Sequence, residues 1–274
     1  MKLKPQEMEI QNIDHLGIVA GIIDSIGIVE IINELIGVEK DEKVNAGQVV
    51  KAMIINGLGF VSKPLYMFPK YFETIACEHL IGAGVKPEYL NDDKLGRVMD
   101  KLFIKGLDTI FFIIAVKAAQ KFGVSLSTSH LDSSSMHVHG QYNTSLPEVI
   151  FESQKVENSP ELKELEVKSP KEITITYGYS RDHRPDLKQF IIEMICSGDG
   201  DIPIFLKLAS GNQADSSCFL KDPLFFADSI FLKSPERIES LGMIMGLCLL
   251  VYTLAQRHIR NALLESKSTI KNQL

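Results

Sequence analysis

The sequence predicts an α+β protein: a helical N-terminal domain, a small β-sheet core and a C-terminal helix. Three observations predict it. Through the first 122 residues, apolar side chains recur at helical i, i+3 and i+4 spacing, with glycine and proline as punctuation. After Gly123 the stripe gives way to runs that alternate or are continuously apolar over strand lengths. Near the end, Ser234-Pro235 opens a long apolar stretch in the manner of a helix start. The domain reading is accordingly 1–122 helical, 123–218 the β-core and 219–274 a C-terminal helical segment.

Taken in order, residues 16–36 read as helix, interrupted at Gly17, Gly21 and Gly27 and stopped at Gly37. Asn45 is placed to cap a second helix that runs to about Leu58. Pro64 and Pro69 punctuate, and residues 71–80 read as an amphipathic helix. Asn91 is a cap for the next helix, with Asp92 and Asp93 in its first turn, and a break near Gly106 divides the stretch that ends at Phe122. A short strand is expected to end near Asp132. Residues 141–170, with three prolines and the charged run ELKELEVK, read as a surface excursion. Residues 173–177 alternate and suit a strand. Residues 189–196 and 202–208 flank SGDGD and predict a β-hairpin. A helix is expected from Pro235 to about Leu264, with Ser234 as its N-cap.

Composition bounds the function classes. Of 274 residues, 45% are hydrophobic and 23% charged, so the chain can bury a core in water. The net charge of −6 gives no overall support for nucleic-acid binding, although a local basic patch can act within an acidic chain. Cys77, Cys196, Cys218 and Cys248 have no C-x-x-C spacing, which argues against a zinc ribbon or a disulfide framework and suits reduced thiols in the cytoplasm. No signal-peptide pattern opens the chain. The most apolar run, residues 241–255, is shorter than the roughly 18 residues of a membrane span and has charged flanks. It reads as a buried helix, so no membrane partner is expected.

Four segments carry a family resemblance. LDSSSMHVHG at 131–140 resembles the first catalytic strand of DDE-type insertion-sequence transposases. YGYSRDHRPDLKQ at 177–189 is similar to their G-x-S-K-D-x-R-P-D-L-x-Q segment. GNQADS at 211–216 is similar to their G-N-x-x-D-S/T turn. FLKDPLFF at 219–226, with FLKSPERI at 231–238, resembles a segment near their C-terminus. The helical first third also looks like the uncharacterised domain that precedes the catalytic domain in one branch of the family.

The resemblance implies a ribonuclease-H-like core, here partial, and DNA transposition as the parent activity. It implies three carboxylates holding two Mg²⁺ or Mn²⁺ ions for phosphoryl transfer. Asp132 occupies the position of the first acid and first metal ligand. The stretch that carries the second and third acids in the family is missing: Asn212 and Leu220 are only eight positions apart. This implies an internal deletion joined near 216–220 and a catalytically defective chain. The alternative is a retained DNA-binding or dimerising module that modulates a full-length transposase, as a homodimer or a heterodimer. A third reading, an active nuclease, requires substitutes among Asp215, Asp222, Asp228 and Glu236, residues that more often cap turns or face solvent. Transposon-end DNA is the expected partner.

Arg181, Arg184 and Lys188 form the candidate DNA-binding group, against the alternative of ordinary surface charge. The basic residues Arg257, His258, Arg260, Lys267 and Lys271 are weighed in the same way. Asp182 and Asp186 either position the strand or DNA, or cap a turn. His137 and His139, two apart on an extended chain, share a face. A His-x-His metal site near Asp132 is the sharper reading, and hydrogen-bonded or solvated histidines the blander one.

Overall fold

The computed structural model describes residues 11–138, 172–178, 184–212 and 234–269. The first segment holds seven α-helices: α1 Leu16–Ile26, α2 Ile28–Ile36, α3 Ala46–Gly57, α4 Phe68–Glu73, α5 Cys77–Ile81, α6 Asp92–Lys105 and α7 Leu107–Phe122. Strands β1 Ser129–Val138, β2 Lys188–Ser197 and β3 Pro203–Ser210 follow, then α8 Pro235–Glu265. The class is α+β, with helices first, a small sheet next and a helix last.

Single residues set most helix limits. Gly27, at φ 84°, ends α1 and allows the 52° bend into α2. Asn45 accepts from the Gln48 backbone N–H while the Gln48 side chain accepts from that of Asn45, a reciprocal capping box that starts α3. Asn91 accepts from Lys94 N–H at the start of α6. Gly106 separates α6 from α7, and Gly123, left-handed at φ 60°, ends α7.

Three expectations need correction. The helix expected over 71–80 is two short helices, because Asn12 pairs with Ile75 and accepts from Ala76 N–H, which pulls the chain out of register between α4 and α5. The strand expected to end near Asp132 continues to Val138, since β2 offers it ten successive antiparallel partners. Residues 173–177 are extended but, among the described residues, form only an isolated bridge, Thr176 to Gln189. The expected hairpin is present as β2 and β3, with Gly200 (φ 84°) and Asp201 (φ 55°) supplying the left-handed turn residues.

The sheet is antiparallel in the order β1-β2-β3. One face carries Phe190, Leu206 and Leu208 and packs on α8. A Cβ on Gly246 would stand 2.3 Å from Leu206 Cδ1 and 3.0 Å from Phe111 Cε2, so that glycine lets helix, sheet and α7 meet closely. Helix α8 also contacts α1, α3, α6 and α7, and a single apolar core runs through it from the helical domain to the sheet. By length and composition α8 could cross a membrane, but 72% of its most apolar window is buried within the protein. It packs as the core helix expected from sequence.

Two charged clamps fix α8. Arg237 donates through Nε and Nη2 to both oxygens of Asp100 on α6, each at 2.8 Å. Arg257 donates to both oxygens of Asp199 in the hairpin turn, and to the carbonyls of Phe122 and Gly123 at the end of α7. Ser234 precedes α8 with Pro235 in the first turn, but its hydroxyl pairs with the Glu236 carboxylate instead of capping a backbone N–H.

Candidate functional site

Asp132 is the fourth residue of β1 and only 4% exposed. It lies opposite Met194 and diagonal to Cys196. Because Phe190 is four residues from Met194, Asp132 shares the face that packs on the helices. Burial pushes the Cys196 thiol up to about 12, with the negative charges of Asp201 and Asp132 adding to it. A buried aspartate among a methionine and a protonated thiol is a different environment from an open carboxylate cluster. Among the described residues, no group of three or more His, Cys, Asp or Glu could hold a metal ion. These residues therefore do not make up the two-metal centre that the resemblance implies.

His137 is five residues beyond Asp132 on the same strand. An odd separation puts it on the opposite face, roughly 17 Å along the strand. It does not join Asp132. His139, Arg181, Asp182, Asp215, Asp222, Asp228, Cys218, Lys271 and the expected deletion joint near 216–220 lie outside the described residues. Glu236 sits in the first turn of α8, bonded to Ser234 and Glu172.

The candidate DNA-binding residues are differently engaged. Arg184 forms a bidentate pair with Asp186 at 2.8 and 2.9 Å, and that carboxylate is the main reason the guanidinium pKa is raised. Lys188 opens β2 with its ammonium 5.9 Å from the centre of the Tyr177 ring. The Arg184–Asp186 pair is exposed, so a phosphate can compete for the guanidinium at little cost. Arg257, by contrast, is committed to Asp199 and the α7 carbonyls.

The most built feature of the sheet is a backbone junction at the start of β2, beside His137 and roughly 17 Å along the strands from Asp132. Thr176 and Gln189 exchange N–H to O bonds of 3.3 and 2.9 Å. Gly211 N–H donates to Thr174 O at 3.0 Å, and Gln189 Nε2 donates to Gly211 O at 2.8 Å. A Cβ on Gly211 would lie 2.0 Å from Gln189 O, and one on Gly178 would lie 1.8 Å from Gly211 O. Only glycine fits such approaches. Tyr177-Gly178, Gln189 and Gly211-Asn212 thus meet in one place, although 34 positions separate Gly178 from Asn212.

Sequence reasoning missed Glu239. It reads as part of the charged flank before the apolar run, yet it is 6% exposed and accepts from Ile173 N–H at 2.8 Å. Burial is the first reason its pKa is raised to about 7. The Ile173 N–H opposes that rise, and Glu172 and Glu236 add to it. Helical spacing was the available signal. Glu239 lies one helical turn before Met243, so it falls on the face that Met243 also buries.

Residues 8–116 match the family model described as Domain of unknown function (DUF4277). No curated protein and no solved structure matches the chain. The match spans the helical region into α7, while the sheet, the junction and α8 lie beyond it.

Proposed function

We propose that the chain is a DDE-transposase-derived protein that does not cut DNA by itself. The observation that carries this reading is the junction. Both ends of segment 177–189 and the start of segment 211–216, each singled out by resemblance to transposases, pack against one another through two glycines. Segments of one ancestral core are expected to do this, and chance likenesses are not. Asp132 on the first strand, followed by an antiparallel hairpin, suits the same origin. The defect rests on the sequence: Asn212 and Leu220 are eight positions apart where the resemblance places the second and third acids.

The test is strand cleavage by the purified chain, with Asp132→Ala alongside. The substrate is DNA from the flanks of its own gene, with Mg²⁺ or Mn²⁺. No cleavage by either protein is expected. Metal-dependent nicking that disappears in Asp132→Ala would overturn the reading, since other acids would then complete the site.

A second reading, a DNA-binding or dimerising module acting on a full-length transposase, is favoured by the family match, which covers residues 8–116 of the helical region and ends before the sheet. A gel shift without cleavage supports this reading. Loss of the shift in Arg184→Ala/Lys188→Ala would place the contact at the start of β2.

A further inference from the structure

Segment 172–178 is held from two sides. On one side Thr174 N–H donates to Ser210 Oγ at 3.0 Å, and Thr174 O and Thr176 hold Gly211 and Gln189. On the other, the buried Glu239 carboxyl of α8 accepts from Ile173 N–H, with Ile173, Ile175 and Ile238 buried around the contact. We infer that Glu239 is a proton-operated clasp: segment 172–178 closes over its carboxyl in the neutral form, and ionisation lifts the segment because a buried charge needs water, even though the Ile173 N–H bond alone works the other way.

The surroundings favour the neutral form. Glu172 on the segment and Glu236, one turn back on α8, both face Glu239 with like charge. Glu172 retains its proton more firmly than an ordinary glutamate, chiefly through a hydrogen bond with Glu236 and then through burial and repulsion. Burial also pushes Glu236 up, but bonds from Ser234, its own backbone N–H and Glu172 outweigh it and hold the carboxyl low. The nearest cation on α8, Arg237, is spent on Asp100 of α6. The end of β3 offers the segment an uncharged serine, Ser210. Among the described residues, an ionised Glu239 would therefore have one amide N–H and no cation to stabilise it, and lifting the segment lets water in.

The direction with pH follows. The closed form holds its proton up to about pH 7, whereas an open, hydrated Glu239 releases it near the ordinary glutamate value of 4.5. Between those values the open form binds fewer protons, so opening grows by about tenfold per pH unit as pH rises, and it levels off above 7.

Hydrogen exchange on the full chain between about pH 5 and 8, corrected for the intrinsic rate, tests this. The amides of 173–176 are expected to lose about tenfold protection per pH unit up to pH 7 while those of α3 hold theirs. Glu239→Gln, which keeps an acceptor without a charge, is expected to flatten the dependence. The same slope in that variant, or no slope in the wild type, overturns the clasp. Should the variant fold poorly, ¹³C NMR of the wild-type Glu239 carboxyl decides: a midpoint near 7 supports the clasp, and one in the ordinary glutamate range overturns it.

Discussion

Among the described residues, the helical region through α7 buries two polar side chains, Lys51 and Asn56, and each is explained locally. Lys51 pairs with Asp24, and Asn56 holds both backbone groups of Lys63. The sheet and α8 bury seven: Asp132, Ser133, Gln189, Ser197, Glu239, Ser240 and Thr253. The helical part is an apolar core with capped ends. The sheet part keeps polar groups inside at a cost in desolvation, and the resemblance to a catalytic core falls on that part. Buried polarity therefore separates an apolar helical core from a sheet and α8 that keep hydrogen-bonded polar groups inside.

The largest effects test whether the two regions share one unfolding event. Phe72 and Phe190 are both fully buried, one in each region. Truncation of either to alanine is expected to cost about 3–5 kcal/mol. Because α8 packs on both regions, each variant should show one cooperative transition by circular dichroism and by tyrosine fluorescence alike. Two transitions, with Phe72→Ala moving just one of them, would split the regions.

Arg257→Ala comes next. It removes the bidentate pair with Asp199 and the donors to the last carbonyls of α7, and about 2 kcal/mol is expected from denaturant melts at neutral pH. The Arg257 hydrogen bond is the main reason the Asp199 pKa is lowered, ahead of the Ser125 N–H. The stabilisation is thus full above the ordinary carboxylate range and fades as pH falls through the depressed value. The gap between variant and wild type should narrow in acid, and a gap that is constant with pH would remove Asp199 from the account.

Smaller again is Asn45→Ala, which breaks the capping box of α3 for about 1 kcal/mol. Arg97→Ala breaks an ion pair whose side chains are 64% and 74% exposed, and the melt should move by less than about 0.5 kcal/mol.

The same contrast explains what sequence could reveal. Asn45, Asn91, Gly27, Gly106 and Gly123 act on neighbours within a turn, so the helical limits they set are legible in a few residues. The break between α4 and α5 is not, because Asn12 causes it from more than sixty positions away. The hairpin was legible from its Gly-Asp turn. The full length of β1 was not, since its partner Met194 lies 62 positions beyond Asp132. Of the candidate site, Asp132 could be named from its motif, but the face it takes depends on β2 and α8. Glu239 went unseen because an acid before an apolar run looks like a solvated flank until the segment it holds is placed beside it.

Helix α8 is the last described helix, and it is also a wall for the first. Its contacts with α1 join residues more than 200 positions apart. During synthesis, which proceeds at roughly 5–20 residues per second, α1 and α3 must wait many seconds with the α8-facing side of their core open to water. The order in which the chain leaves the ribosome is thus opposed to the order in which its core can close, and a chaperone has its opportunity in that interval.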